Sequence, residues 1–185
     1  MDTKDSTEKM KDKLDWVNMW IGNCDQKASF LLALLGVAAT VGCTSDLFTK
    51  IKEVLITPFK IFCQTGEGTF DFLRTLLALC LIAGLVAILI ALILLILCLK
   101  ANIDPKKFHQ DGMIEKSRIF FGSIAKMPYN DFIAASNEEE KDLSTQVYTN
   151  SAICTKKFNY YNKAIVWVLV AIPSFLLSVI IFLFV

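Results

Sequence analysis

The sequence predicts an all-α membrane protein with three transmembrane helices, and three uncharged stretches carry that fold class. Leu76 to Leu99 is 24 positions without a charged, amide or hydroxyl side chain. At about 1.5 Å per residue such a helix is about 36 Å long, enough to cross a hydrocarbon core of about 30 Å with some tilt. Ala164 to Val185 adds 22 uncharged residues, interrupted only by Pro173, Ser174 and Ser178. Ala28 to Thr44 adds 17, diluted by Ser29, Gly36, Thr40 and Gly42, which is the short limit for a span. The first 27 residues carry six acids and five lysines and no apolar core, so no signal peptide is expected there.

Basic residues set the expected orientation. Lys4, Lys9, Lys11, Lys13 and Lys27 precede the first span, and ten more lie between Lys100 and Lys163. Only Lys50, Lys52, Lys60 and Arg74 lie between the first two spans. Fifteen against four places residues 1–27 and 100–163 in the cytoplasm, and residues 45–75 and the C-terminus outside.

The segments outside the spans read as helices too. Ser6 is a cap for an N-terminal arm in which Met10, Leu14, Val17, Ile21 and Cys24 recur at helical spacing, and the arm runs straight into the first span. Ser136 with Glu139 makes a capping box, with the acids Glu138, Glu139, Glu140 and Asp142 complementing the helix dipole. No proline or glycine intervenes from there until Pro173, so one helix is expected from about Asn137 through the third span. It carries Leu143, Val147, Cys154, Phe158 and Tyr161 toward the arm, the two forming a stalk. A shorter helix is expected around Ser117 to Ala125, its Ile119, Phe120, Phe121 and Ile124 capping that stalk. On the outer side, Phe48, Ile51, Leu55, Phe59 and Phe62 share one face, the pattern of an interfacial helix bent near Pro58. A re-entrant segment lining a pore vestibule is the alternative.

Small residues stripe the spans. Ser29, Ala33, Gly36 and Thr40 share a face of the first, and Gly84, Ala87 and Ala91 share one of the second. Such stripes serve close helix packing; the rival reading has Ser29 and Thr40 facing water in a pore. Pro173 permits a kink that would suit a gate.

Enzyme chemistry has little to work with. His109 is the only histidine, and no nucleophile has a base within helical reach. The six cysteines show no CxxC spacing, which argues against a zinc site or disulfide framework, and no metal or cofactor is implied. Gly66-Glu67-Gly68 is a turn signal without a preceding strand.

Residues at the membrane boundary point to a family. Asp25-Gln26-Lys27-Ala28-Ser29 opens the first span; Ser117-Arg118-Ile119-Phe120-Phe121-Gly122-Ser123-Ile124-Ala125 follows in the central segment; Gln146, Ala152, Lys157 and Phe158 lead into the last span. In this order they resemble the small transmembrane effectors of bacterial nucleotide-signalling antiphage systems, typified by the membrane effectors of Pycsar. The resemblance covers roughly residues 20 to 175. It implies a partner nucleotidyltransferase whose nucleotide product triggers disruption of the inner membrane. The Pycsar effectors that answer cyclic pyrimidine nucleotides are expected to carry a separate nucleotide-binding domain, for which 64 central residues leave no room. A stand-alone effector of the Hailong type, where an oligonucleotide holds a channel closed, is the nearer analogy.

A polyanionic ligand would meet Lys106, Lys107, Lys116, Arg118 and Lys126, with Lys156 and Lys157. Arg118 can grip a phosphate in two places, and Tyr160 and Tyr161 offer stacking faces. The plain alternative is that these basics are topology signals and headgroup contacts, and the tyrosines an interfacial belt. The expected ligand residues are Lys116, Arg118, Lys156, Lys157 and Tyr160. Asp25, Lys27 and Pro173 are the expected junction and gating residues, with Asp25–Lys27 as one conceivable pair. Three helices cannot enclose a lumen, so a conducting form is a homo-oligomer, a tetramer being one such ring. The apolar second span would supply a constriction that blocks ions by dewetting. A non-conducting membrane anchor, whose cytoplasmic helices recruit a soluble protein, is the competing function. A transporter subunit is disfavoured because the spans hold no charge.

Overall fold

A computed structural model describes residues 3–44, 72–100, 110–133 and 138–184, with isolated positions 49, 53 and 108. Five helices are described: α1 (Thr3–Thr44), α2 (Phe72–Leu99), α3 (Phe121–Ile124), α4 (Tyr129–Ile133) and α5 (Glu139–Phe182). No strand occurs among the described residues. α1, α2 and α5 are each long and apolar enough to cross a membrane. The expected interfacial helix with Phe48, Ile51, Leu55, Pro58, Phe59 and Phe62 lies outside the described residues, as do Lys106, Lys107, His109, Ser136 and Asn137.

The chain divides into two compact units. Residues 1–27 and 98–159 form an arm unit; residues 28–97 and 160–185 form a span unit.

In the arm unit, the stripe on α1 turns inward as its spacing dictates. Leu14 and Cys24 are buried, and Met10, Val17 and Ile21 are half-buried. α1 begins at Thr3, so Ser6 lies inside the helix and not at its cap; its hydroxyl donates to the Glu140 carboxylate of α5. A cap must stand before the first turn, and three more helical residues precede Ser6 here. The contacts between α1 and α5 ascend together: Ser6 with Glu140, Asn18 with Asn150, Asp25 with Lys157. The two helices therefore run parallel. Asn18–Asn150 and Asp25–Lys157 share a sequence offset of 132. Two polar contacts one heptad apart fix the register, as isolated polar positions do in parallel coiled coils. Lys11 adds an ion pair to Glu139 at 2.8 Å, and Trp20 meets Phe158 edge-on at 6.3 Å between ring centres.

The helix expected over Ser117–Ala125 is shorter, only Phe121–Ile124. Ser117, buried, accepts the backbone N–H groups of Ile119 and Phe120 at 3.1 and 3.0 Å. Asp142 accepts that of Arg118 at 2.7 Å. Donors that a helix would use are thus engaged by side chains, and the helix begins after them. Ser117→Ala should cost about 1–2 kcal/mol by leaving two N–H groups short of acceptors, and Ser117→Thr should recover most of it in thermal melts. Upstream, Gly112 has φ +91° in the turn closed by Met113 N–H to Gln110 O, a conformation suited to glycine. α4 follows Pro128, whose carbonyl accepts from Asp131 and Phe132.

In the span unit, Leu77, Gly84, Ala87, Ala91 and Leu95 of α2 are buried. These positions recur every three or four residues, one helical face. A Cβ on Gly84 would lie 3.2 Å from the Phe175 ring of α5, so the missing side chain is what admits that ring. Ser29, Gly36 and Thr40 on α1 are exposed, and Thr40 returns its hydroxyl to the Gly36 carbonyl at 2.9 Å. Pro173 is exposed within a helix that continues through it; Ser174 and Ser178 donate to Val170 O and Ser174 O.

Candidate functional site: the Lys157 junction

Burying a lysine costs several kcal/mol unless its ammonium is paired and hydrogen-bonded. Lys157 of α5 is only 7 % exposed, and the arm unit meets that demand with two partners. Its Nζ donates to Asp25 Oδ1 of α1 at 2.5 Å and to the carbonyl oxygen of Cys98 at 2.9 Å. Cys98 stands in the last turn of α2, where helix carbonyls have no intrahelical donor and the dipole is negative. α2 has no basic residue of its own in that turn. Lys157 supplies the missing positive charge from another helix.

The contacts around it are reciprocal. The Cys98 thiol donates to Lys157 O at 3.4 Å and lies 3.7 Å from the Cys24 sulfur. Both thiols are fully buried and free. One lysine thus joins α1, the end of α2 and α5. The partner of Asp25 is Lys157 and not Lys27, which is exposed. Residues two apart on a helix do not face one another.

The other expected ligand residues fall apart along α5. Lys116 is exposed, and Arg118 is half-buried beside Asp142, which holds its backbone N–H. Lys156 is exposed next to the junction. Asp142 and Lys157 are 15 residues apart on one helix, about 22 Å along its axis. Tyr160, half-buried, belongs to the span unit.

Sequence reasoning did not find the buried polar group of Ser117, Asp142, Thr145 and Gln146. Asp142 Oδ2 accepts from Arg118, while Oδ1 is buried without a hydrogen-bond partner. Thr145 accepts the Ile114 N–H and donates to Lys141 O. The signal available was Ser117 and Gln146 standing in the motif segments.

Three helices apolar and long enough to cross a membrane, with a polar helical unit held internally by the Asp25–Lys157 ion pair, define a small helical membrane protein. The chain belongs to the Pycsar effector family: the model of the Pycsar effector protein domain matches residues 9–185. It is similar to the Pycsar effector protein GmPycTM of Gulbenkiania mobilis, 29 % identical over 170 residues, 89 % of this chain and 86 % of that one. No solved structure matches. Family membership makes the chain an antiphage-defence effector.

Proposed function

We propose that the chain is a homo-oligomeric inner-membrane effector whose spans form an ion-permeable pore. A nucleotide or oligonucleotide from a partner nucleotidyltransferase gates it, and opening depolarises the cell and arrests growth. The observation that carries this reading is the Lys157 junction, which ties α1, the end of α2 and α5 together within the arm unit. Family membership supports the same reading.

The ligand set is Lys116, Arg118 and Lys156 on the arm unit, with Lys157 as the switch and Tyr160 as a stacking face. A phosphate that takes the Lys157 ammonium must displace Asp25. Binding and release of the junction are then one event, and the ligand biases the pore by its differential affinity for the two states. Lys27 and Pro173 act at the membrane boundary and in the third span. The exposed Ser29, Gly36 and Thr40 face of α1 is offered to the next copy in the ring. The N-terminus and arm unit are cytoplasmic and the C-terminus is outside.

The test joins two measurements. Expression with the partner nucleotidyltransferase during phage infection should collapse the membrane potential, read with a voltage-sensitive dye, and the purified chain should conduct in liposomes. Charge reversal at Lys116, Arg118 or Lys156 should weaken ligand affinity about tenfold or more, one charge-assisted contact each, while leaving the pore able to conduct. Absence of toxicity under every condition together with silent liposomes overturns the proposal. Co-purification of a soluble protein with no nucleotide would instead identify an anchor.

A further inference from the structure

Beside the face it packs, α1 leaves a second apolar patch exposed in the arm unit, with one edge of Trp20 against Phe158. Trp16, Met19 and Trp20 are 66, 59 and 48 % exposed. Spaced at i, i+3 and i+4, they form one patch. Lys13 lies one turn before it and Lys27 two turns after it on the same side of the helix, both exposed.

The Cys24–Cys98 contact gives this patch a height. Cys98 is the second-last residue of the uncharged run Leu76–Leu99, so it marks where hydrocarbon ends on that side. Cys24, with its sulfur 3.7 Å away, lies at the same level. Trp20 is four residues below Cys24, about 6 Å along the axis, and Trp16 about 12 Å. The headgroup layer on each side of a bilayer is about 5–8 Å thick. Trp20 and Met19 fall within it, and Trp16 lies a few ångströms beyond it on the aqueous side. Lys27, one turn deeper, carries a side chain that tilts toward the helix N-terminus, which brings its ammonium down to the phosphates.

The geometry points to the Trp16–Met19–Trp20 face as a docking surface for the phospholipid headgroup layer, with Lys27 as its phosphate contact. Water is a poor environment for this much ring surface, whereas amphipathic indoles favour the interface. The bilayer then begins near Met19 and not at Ala28, and the 17 residues of the first stretch lengthen toward the 24 of the second. The Asp25–Lys157 pair lies at the hydrocarbon edge. This inference rests on the membrane location alone and stands whether or not a pore forms.

The full chain in phosphatidylcholine vesicles tests it. Trp167 is replaced by phenylalanine; adding Trp16→Phe leaves Trp20, and adding Trp20→Phe leaves Trp16. Lipid brominated near the top of its acyl chains should roughly halve Trp20 emission and reduce that of Trp16 less, with acrylamide sparing Trp20. The difference between the wild-type chain and Trp20→Phe alone gives the Trp20 share without touching Trp167. Trp20 emission unchanged by brominated lipid overturns the inference. Sensitivity to acrylamide would then assign the face to water, and protection from both quenchers to a second copy or another protein.

Discussion

Replacing Asp25 with alanine is expected to destabilise the protein by about 3 kcal/mol, more than replacing Lys157 with methionine. The asymmetry follows from the surroundings of the two charges. The Lys157 side chain is 9 % exposed and that of Asp25 is 37 %. Without Asp25, the ammonium stays buried with only the Cys98 carbonyl as partner. Without Lys157, the carboxylate can turn to water, and screening at a site this exposed limits the loss to about 1–2 kcal/mol. The double variant should be more stable than Asp25→Ala alone, because no unpaired charge remains. Melting curves in detergent for the four proteins give the coupling directly. Equal costs for both single variants would show that burial of Lys157 does not govern the site. The Asp25→Ala protein should also permeabilise membranes without ligand, since it mimics the released junction.

Gly84→Leu is the second large effect, expected to cost about 2–3 kcal/mol by overpacking. The Phe175 ring lies where the new side chain would begin, with three ring carbons at 3.2–3.3 Å from an ideal Cβ. Gly84→Ala asks the ring to yield by a few tenths of an ångström and should cost less. Phe175→Ala alone leaves a cavity; combined with Gly84→Leu it restores volume and should recover much of the loss. A Gly84→Leu protein that melts like wild type would remove this contact from the account of the span unit. Both effects are readable by the same detergent melts, and the two sites belong to different units, so their costs should add.

Length and periodicity made the helices legible. Twenty-four uncharged residues leave no soluble alternative for α2, and the Leu14–Cys24 spacing shows which face of α1 packs. Local chemistry was harder to read. Ser117 carries no mark of whether its hydroxyl will start a helix or hold the N–H groups that delay one. The pairing of Asp25 was not legible at all. Its nearest basic neighbour in sequence is Lys27, yet Lys157 takes it from 132 positions away, and nothing local encodes that choice. The motif residues Asp25, Ser117 and Lys157 could be singled out, but their use as internal bonds needed the fold.

The shared offset of α1 and α5 limits how they can move. Asn18–Asn150 and Asp25–Lys157 are set seven residues apart on both strands of the pair. A slide of one or two residues breaks both contacts together and makes neither anew. Even a slide of a whole heptad, about 10 Å, only sets Asn18 against Lys157 or Asp25 against Asn150 and restores neither pair. Small graded sliding is therefore uphill throughout, and the cheap motions are twisting about the common axis or peeling apart from the open end. Whatever signal this chain receives, it is delivered as a snap and not as a creep.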